Sequence, residues 1–530
     1  MPRKSTEKWV VMALAALIPL AYAAFADHAW EDYFITLRSS RNLVEGHGLV
    51  FNPGDRLHTF TSPLGVLVPA LCTAIAGVGH ESLALWLFRL IDAAVLAAGA
   101  GLVWDRLESL KVGALGRLLV FGLLVTDCKL TEFSTSGMET AFLIFFVQLL
   151  WCEMESSAGP RLLPIALAAA GLQWTRPDGF ILGGAIIAPH VIFRKSATEP
   201  VFRGWGKVFL GLLLGVVLYL PWIGWAWWYY GTPVPHTITA KSQFTATVHA
   251  SDLVWLPWRS LTGQSMLMDL YLPIYWVYGG WPAFVAWFAR IVGVISAFAW
   301  LVPGLSRPAR RTSLAVFLGS FYFCSIILFP WYSPPWTVLG ILALGLVTDS
   351  AGQFISRQKL AWLASLLRVA VGLGIGAYVF MLAGTAWEMR EQQRIIENQG
   401  RRDIGLWLAK NASAHDTVFL EPLGYIGYYS QLKMYDFPGL SSREVVAAIR
   451  GGSVRFAEVI NRLRPTWLVL RPFEIADPSK PENAVLREYR LVKVWNQQTQ
   501  LDQVTWLPGR GWIEHDAQFL LFRHEPTTQH

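Results

Sequence analysis

The sequence predicts a polytopic α-helical membrane protein that carries a soluble α/β domain at its C-terminal end. Three observations lead there. Mean hydropathy is +0.39, and only 15% of the 530 residues are charged, against about a quarter in soluble domains. Apolar runs near bilayer-crossing length recur from the N-terminus to residue 386. Beyond residue 387 the composition turns soluble, and short extended runs alternate with helical ones. The 26 Trp residues suit two wide interfacial belts.

The first apolar run, 9–26, follows Arg3, Lys4 and Lys8. It is too long for the apolar core of a signal peptide and reads as an uncleaved first span that starts in the cytoplasm. Further spans are expected at 83–104, 118–133, 138–151, 162–174, 180–193 and 208–229. After a polar and aromatic interval they resume at 282–302, 313–329, 336–347 and 369–386. The apolar stretch 64–78 breaks the parity. Counted as a span, it would move the basic loops 194–207 and 307–311 to the outside. Taken as an interfacial helix, it leaves about 11 spans and keeps those loops, with Arg106, Lys111, Arg357, Lys359 and Arg368, in the cytoplasm. Residues 27–78, 231–280 and everything after Thr385 then face outward. The protein is expected in a bacterial inner membrane, with residues 1–386 as its membrane domain and 387–530 as an extracytoplasmic domain.

The net charge of +7 resides largely in those loops. It therefore signals orientation, and nucleic acid is not expected as a partner. The four cysteines (Cys72, Cys128, Cys152, Cys324) lie in or beside apolar stretches, with neither a disulfide framework nor metal-ligand spacing, so no metal is expected. In the soluble part, strands are expected at Thr417–Leu420, 466–470, 489–494 and 519–522. Helices are expected at 388–410, leaving the membrane, and at 443–463.

Polar residues concentrate at 27–64. If Glu31–Val44 is helical, Tyr33, Phe34, Leu37 and Val44 share one stripe, while Asp32, Thr36 and Ser39 lie on another face. Such a helix can lie on a bilayer with its carboxylates up. Three further polar clusters flank expected outward ends: Arg176-Pro177-Asp178, the run Tyr229 to His236 leading to Lys241, and Phe329 to Trp336. Each alone is also explained by helix-ending prolines, snorkelling cations and belt aromatics. Together they describe a site for an amphiphile with an anionic head: carboxylates, cations and aromatic walls at the membrane surface. A sugar on a polyprenyl phosphate fits, because transfer to a hydroxyl needs a base for the incoming oxygen and positive charge for the departing phosphate.

The stretch EDYFITLRSSRNLVEGHGLVFNPGDRLHTFTSPL resembles the first outer loop of GT-C-fold, polyprenyl-phosphate-dependent membrane glycosyltransferases, in particular the mycobacterial AftB-type arabinofuranosyltransferases. Ser136-Gly137-Met138-Glu139-Thr140, Arg176-Pro177-Asp178-Gly179 and Gly231 to Thr237 with Lys241 fit the same group. The family pattern usually has Asp-Asp where this chain has Glu31-Asp32, and Asn where it has His236. The resemblance implies a GT-C-like fold with interfacial helices in the first outer loop. It also implies a lipid-linked sugar donor as co-substrate, no certain cofactor, and a glycan or protein acceptor. Asp32 is then the expected general base and Glu31 its partner. Lys241 and Arg38 are the expected phosphate contacts, and His236, Arg176 and Asp178 would hold the sugar or order the loops. Glu139 is either a site residue or a cap for the next span, and His58 and Tyr332 complete the set. The rival class is a transporter or flippase of lipid-linked sugars. Its intramembrane charges would sit at mid-membrane, as Asp127 and Lys129 would if 118–133 were one straight span.

Overall fold

The computed structural model describes residues 2–193, 205–242, 266–324, 329–475 and 477–525, with 255 and 258 between them. The basic residues Arg194, Lys195 and Arg203 lie outside the described residues. Helix α1 (Pro2–Ala26) is followed by two helices, α2 (Glu31–Val44) and α3 (Pro63–Ala76), and then by the long α4 (Glu81–Ser109). Shorter elements come next: α5 (Ala114–Thr126), α6 (Cys128–Thr135), α7 (Thr140–Met154), α8 (Leu162–Thr175) and α9 (Gly179–Ile192). The long α10 (Trp205–Tyr230) leads to the short α11 (His236–Lys241). The membrane half closes with α12 (Ala283–Phe298), α13 (Arg307–Cys324), α14 (Pro334–Arg357) and α15 (Ala361–Glu391). Among the described residues, six helices are long and apolar enough to cross a membrane, and five are shorter apolar helices, α3 among them.

The shorter helices bury themselves in the bundle. On α7, Leu143, Ile144, Val147, Leu150 and Trp151 are all at or below 3% exposure. α8 packs most extensively on α10, where Gly211 and Gly215 lie one turn apart. A Cβ on Gly215 would fall 2.7 Å from the Ala169 methyl, so the missing side chain is what lets the two backbones approach.

The stretch expected as one span at 118–133 is broken. α5 ends at Thr126, and the Asp127 carboxylate caps α6 by accepting from the N–H groups of Lys129 (3.0 Å) and Leu130 (2.8 Å). Restarting the helix satisfies donors that a mid-span carboxylate would have left competing. The run 64–78 forms the short helix α3. α2 before it and the start of α4 after it touch the same C-terminal domain, the latter through Tyr429 Oη donating to Glu81 Oε1 at 2.9 Å. α3 therefore leaves and returns on one side. The apolar stripe of α2 does not face lipid, however. Tyr33, Phe34 and Leu37 pack with Cys72, Leu85, Phe88, Tyr425 and Tyr428, because α3, α4 and the C-terminal domain close over them.

The expected span 369–386 and helix 388–410 form one rod. α15 continues through a π-helical segment, Gln392–Arg402, into α16 (Asp403–Asn411), giving an unbroken helical path from Ala361 to Asn411. The rod ends in a five-stranded sheet of order β2-β1-β3-β5-β4. Strands β1 (Thr417–Leu420), β2 (Lys433–Asp436) and β3 (Trp467–Leu470) are parallel. β5 (Gln518–His524) runs antiparallel to both β3 and β4 (Tyr489–Asn496). Strand β2 was not expected: it is a four-residue edge strand paired to β1 alone, too short to show alternation. The expected helix 443–463 is two, α18 (Arg443–Arg450) and α19 (Phe456–Leu463), split at Gly451-Gly452, where Gly452 has φ +97°. One sheet face packs Val418, Met434, Trp467 and Leu521 against Ile404, Leu408 and Ile426 of α16 and α17 (Gly424–Ser430). The other packs Phe419, Leu468 and Leu470 against Val445, Ile449 and Ile460. Because β1, β2 and β3 are parallel, the residues after their ends, Glu421, Phe437 and Arg471, emerge along one edge, which is where ligands bind in sheets of this kind.

Candidate active site

Asp32 stands in the first turn of α2, one residue after Glu31, and consecutive helical residues point about 100° apart. The two carboxylates consequently have different surroundings. Glu31 turns to the C-terminal domain. Its Oε1 accepts from the Gly424 N–H at 2.5 Å, and Arg401 Nη1 lies 3.2 Å from its Oε2. Arg401 also donates to Glu397 at 2.9 and 3.0 Å and pairs with Asp516. Burial pushes the Glu31 carboxyl up to about 7, against the pull of Arg401. Among the described residues, Asp32 has no hydrogen-bonded or ion-paired partner. Burial raises its pKa above the usual aspartate value, Lys241 pulls it back, and Glu421 raises it again.

Lys241, at the end of α11, holds its ammonium 5.4 Å from the centre of the Phe329 ring. Phe329 stacks on Trp331 at 4.6 Å, and Trp331 meets Trp30, the residue before α2, at 5.8 Å. On the other flank, Arg176 donates to both oxygens of Asp178 (3.0 and 3.4 Å) and lies 4.2 Å over the Tyr332 ring. Tyr322 donates to the same carboxylate. Burial opposes the Asp178 charge, but Arg176 and these hydrogen bonds hold its carboxyl below the usual range. Glu139 precedes α7 without capping it through its side chain. Its carboxylate instead lies against Ser62 and Gly65, where a Cβ on Gly65 would come within 2.9 Å of Oε2. It also senses the charges of Arg176, Asp32 and Asp178.

Asp32, Lys241, Arg176, Asp178, Glu139 and Tyr332 are thus linked by mutual fields or direct contacts. Three other expected residues do not join them. Arg38 is fully buried, donates to the carbonyls of Gly427 and Leu432 (both 2.9 Å), and lies 4.2 Å over Phe51. At 0% exposure it offers no surface to a phosphate and instead ties α2 to the C-terminal domain. His58 stacks on Tyr230 at 4.6 Å, and burial drops its pKa to about 4, so it is neutral. His236 faces the loop around Asp436 and Ser442, with its pKa lowered by burial. Its main-chain N–H donates to the His58 carbonyl at 2.7 Å.

Sequence reasoning missed Glu421 and Arg401, which shape the field at Asp32 from the C-terminal domain and the π segment. Neither stands in a motif that could have announced it. Among the described residues, no three His, Cys, Asp or Glu side chains gather as a metal site. A half-buried carboxylate without a partner among the described residues, across from an ammonium and beside an aromatic wall, can accept a proton while the ammonium stabilises an anion.

Residues 388–517 match a family described as a domain of unknown function (DUF8728). The chain is 30% identical over 269 residues to a terminal beta-(1->2)-arabinofuranosyltransferase of Corynebacterium glutamicum, a match that covers 46% of this chain and 37% of that one. It is 28% identical over 226 residues to a protein of the same name from Mycobacterium tuberculosis, covering 40% and 34%. The matched region is thus little more than a third of the length of either relative. A crystal structure of ArnT from Cupriavidus metallidurans, bound to undecaprenyl phosphate, superposes with a TM-score of 0.53 over 98% of both chains at 13% identity. At that identity the likeness shows the fold alone, and the fold is the GT-C architecture of a multi-pass membrane protein.

Proposed function

We propose that this chain is a membrane glycosyltransferase of the bacterial inner membrane. It moves an arabinofuranosyl-type pentose from a polyprenyl-phosphate donor to an extracytoplasmic glycan, with Asp32 as general base. The observation that carries the reading is the contrast within the acidic pair. Glu31 is consumed by Gly424 and Arg401, whereas Asp32 is half-buried, unpartnered among the described residues, and electrostatically opposite Lys241. The names of the two curated relatives support the transfer and its sugar, and the lipid in the ArnT structure supports the class of donor.

The acceptor hydroxyl gives its proton to the Asp32 carboxylate as its oxygen bonds to the anomeric carbon. The bond from that carbon to the phosphate oxygen breaks, and its electron pair leaves with the polyprenyl phosphate. Lys241 balances the charge that grows there. Phe329 and Trp331 form an apolar wall that keeps water from competing with the acceptor. Arg176, fixed by Asp178 and stacked on Tyr332, presents its remaining edge to the sugar.

The test offers purified protein several polyprenyl-phosphate sugars in parallel with a glycan acceptor. Transfer is expected from the arabinofuranosyl donor. Asp32→Asn should lose about 10²- to 10⁴-fold in rate while donor binding survives, and Glu31→Gln should lose less. Normal turnover by Asp32→Asn, or lipid translocation without transfer, would overturn the reading.

A further inference from the structure

Beyond the space around Asp32, the C-terminal domain presents a second set of groups that the reaction does not use. Arg471 and Glu421 pair at the ends of parallel strands β3 and β1, and Arg471 also lies 2.8 Å from Asp516. Phe473, two residues on, projects with 61% exposure, and the Arg471 guanidinium sits 5.5 Å from its ring centre. The His515 ring then contacts three others: Phe473 at 5.7 Å, Tyr278 at 5.9 Å and Trp512 at 6.1 Å. Tyr278 is itself 37% exposed.

The belt of a membrane does not account for this surface, because Phe473 and His515 belong to the sheet domain. Nor is it an anion site. Arg471 is neutralised by Glu421 and Asp516, so the face carries no spare cation among these described residues. It combines fixed aromatic faces with a hydrogen-bonding carboxylate and guanidinium, the mixture that receives the C–H faces and vicinal hydroxyls of a neutral saccharide. A buried chain of aromatic rings also ties it to the proposed active site. Trp512 stacks on Tyr275 at 4.9 Å, Tyr275 stacks on Trp30 at 6.0 Å, and Trp30 adjoins the acidic pair. Glu421, 45% exposed, reaches Asp32 through its field.

We infer that this face is the acceptor platform: a neutral glycan lies across Phe473, His515, Tyr278 and Trp512, is held by Glu421 and Arg471, and delivers its terminal hydroxyl toward Asp32. The inference rests on the glycosyl-transfer reading above for the word acceptor, and on the surface itself for the glycan.

The experiment titrates the full-length protein with a linear arabinofuranose tetrasaccharide, with maltotetraose as control, following tryptophan fluorescence and saturation-transfer NMR. The acceptor KM is measured in parallel. Saturable binding of the arabinose probe is expected. Phe473→Ala should weaken it, and raise acceptor KM, by about tenfold, with the donor KM unchanged. Phe473→Trp, which keeps a ring there, should restore both. Wild-type affinity in folded Phe473→Ala and Tyr278→Ala, or no saturable binding by the wild type, overturns the platform. Transfer that proceeds with an unchanged acceptor KM in Phe473→Ala refutes the platform and leaves the transfer reading intact. Absent transfer with glycan binding still dependent on Phe473 refutes the transfer reading and leaves the glycan-binding face.

Discussion

Replacing Gly424 by Ala should uncouple the C-terminal domain from catalysis. A Cβ built at Gly424 falls 2.0 Å from the Glu31 carbonyl oxygen and 3.1 Å from its carboxyl carbon, where ordinary contact begins at 3.4 Å. The first atom is backbone and cannot rotate away, so the start of α2 or of α17 has to move by more than an ångström. Asp32 is the next residue along α2, and it moves with it. Misplacing a reacting group by about 1 Å costs on the order of 10²-fold in rate, while overpacking of this kind costs about 1–3 kcal/mol in stability. The expected variant is folded, somewhat less heat-stable and about 10²-fold slower in transfer, with donor affinity intact because Lys241 is carried by a different helix. Turnover, donor binding and thermal midpoint measured on one preparation separate these effects. Gly427→Ala serves as the milder control, since its Cβ would meet the Phe51 ring at 2.9 Å and no backbone. Wild-type turnover by Gly424→Ala would refute the idea that the domain positions the base.

Lys241→Ala should lower kcat about 10²- to 10³-fold, with partial recovery in Lys241→Arg. Lys241→Gln should also move the acid limb of the pH–rate profile upward, because Lys241 holds down the Asp32 pKa that burial raises. A limb that stays in place would separate the two residues. For Glu31, the folded state raises the carboxyl from 4.5 to about 7 and so binds more protons than the unfolded chain between those values. Stability from this group is therefore present at pH 4.5 and lost as pH rises through about 7, and thermal midpoints should fall over that window less in Glu31→Gln than in wild type. Cysteine at Glu81 should react with an impermeant thiol reagent from the side that holds the C-terminal domain. Reaction only from the opposite side would make α3 a crossing helix.

The membrane half was legible because apolar length and loop charge act locally. Every expected span from 9–26 to 369–386 contains a helix, and 64–78 holds a short apolar helix whose two flanks touch the same C-terminal domain. The errors have physical causes. The run 118–133 looked like one span because sequence does not show that a carboxylate can restart a helix in mid-run; Asp127 and Lys129 are buried all the same. Arg38 looked like a phosphate contact because an arginine near a membrane end usually seeks an anion. Here its partners are main-chain carbonyls, which no side-chain pattern reveals. Asp32, Lys241, Arg176 and Asp178 could be nominated from motifs. Glu421 and Arg401 could not, because they reach the site through the folding of a sheet whose strands are only four residues long at that edge.

Arg38 also imposes an order of events. The carbonyls that satisfy it belong to Gly427 and Leu432, 389 and 394 residues further along the chain. A guanidinium cannot enter a dry interior before its acceptors exist. During synthesis, then, the segment that emerges right after the first helix has to wait, hydrated and unsettled, for the final stretch to be made and folded. A chain interrupted before Leu432 would hold the described membrane helices and still lack a carbonyl that lets Arg38 settle.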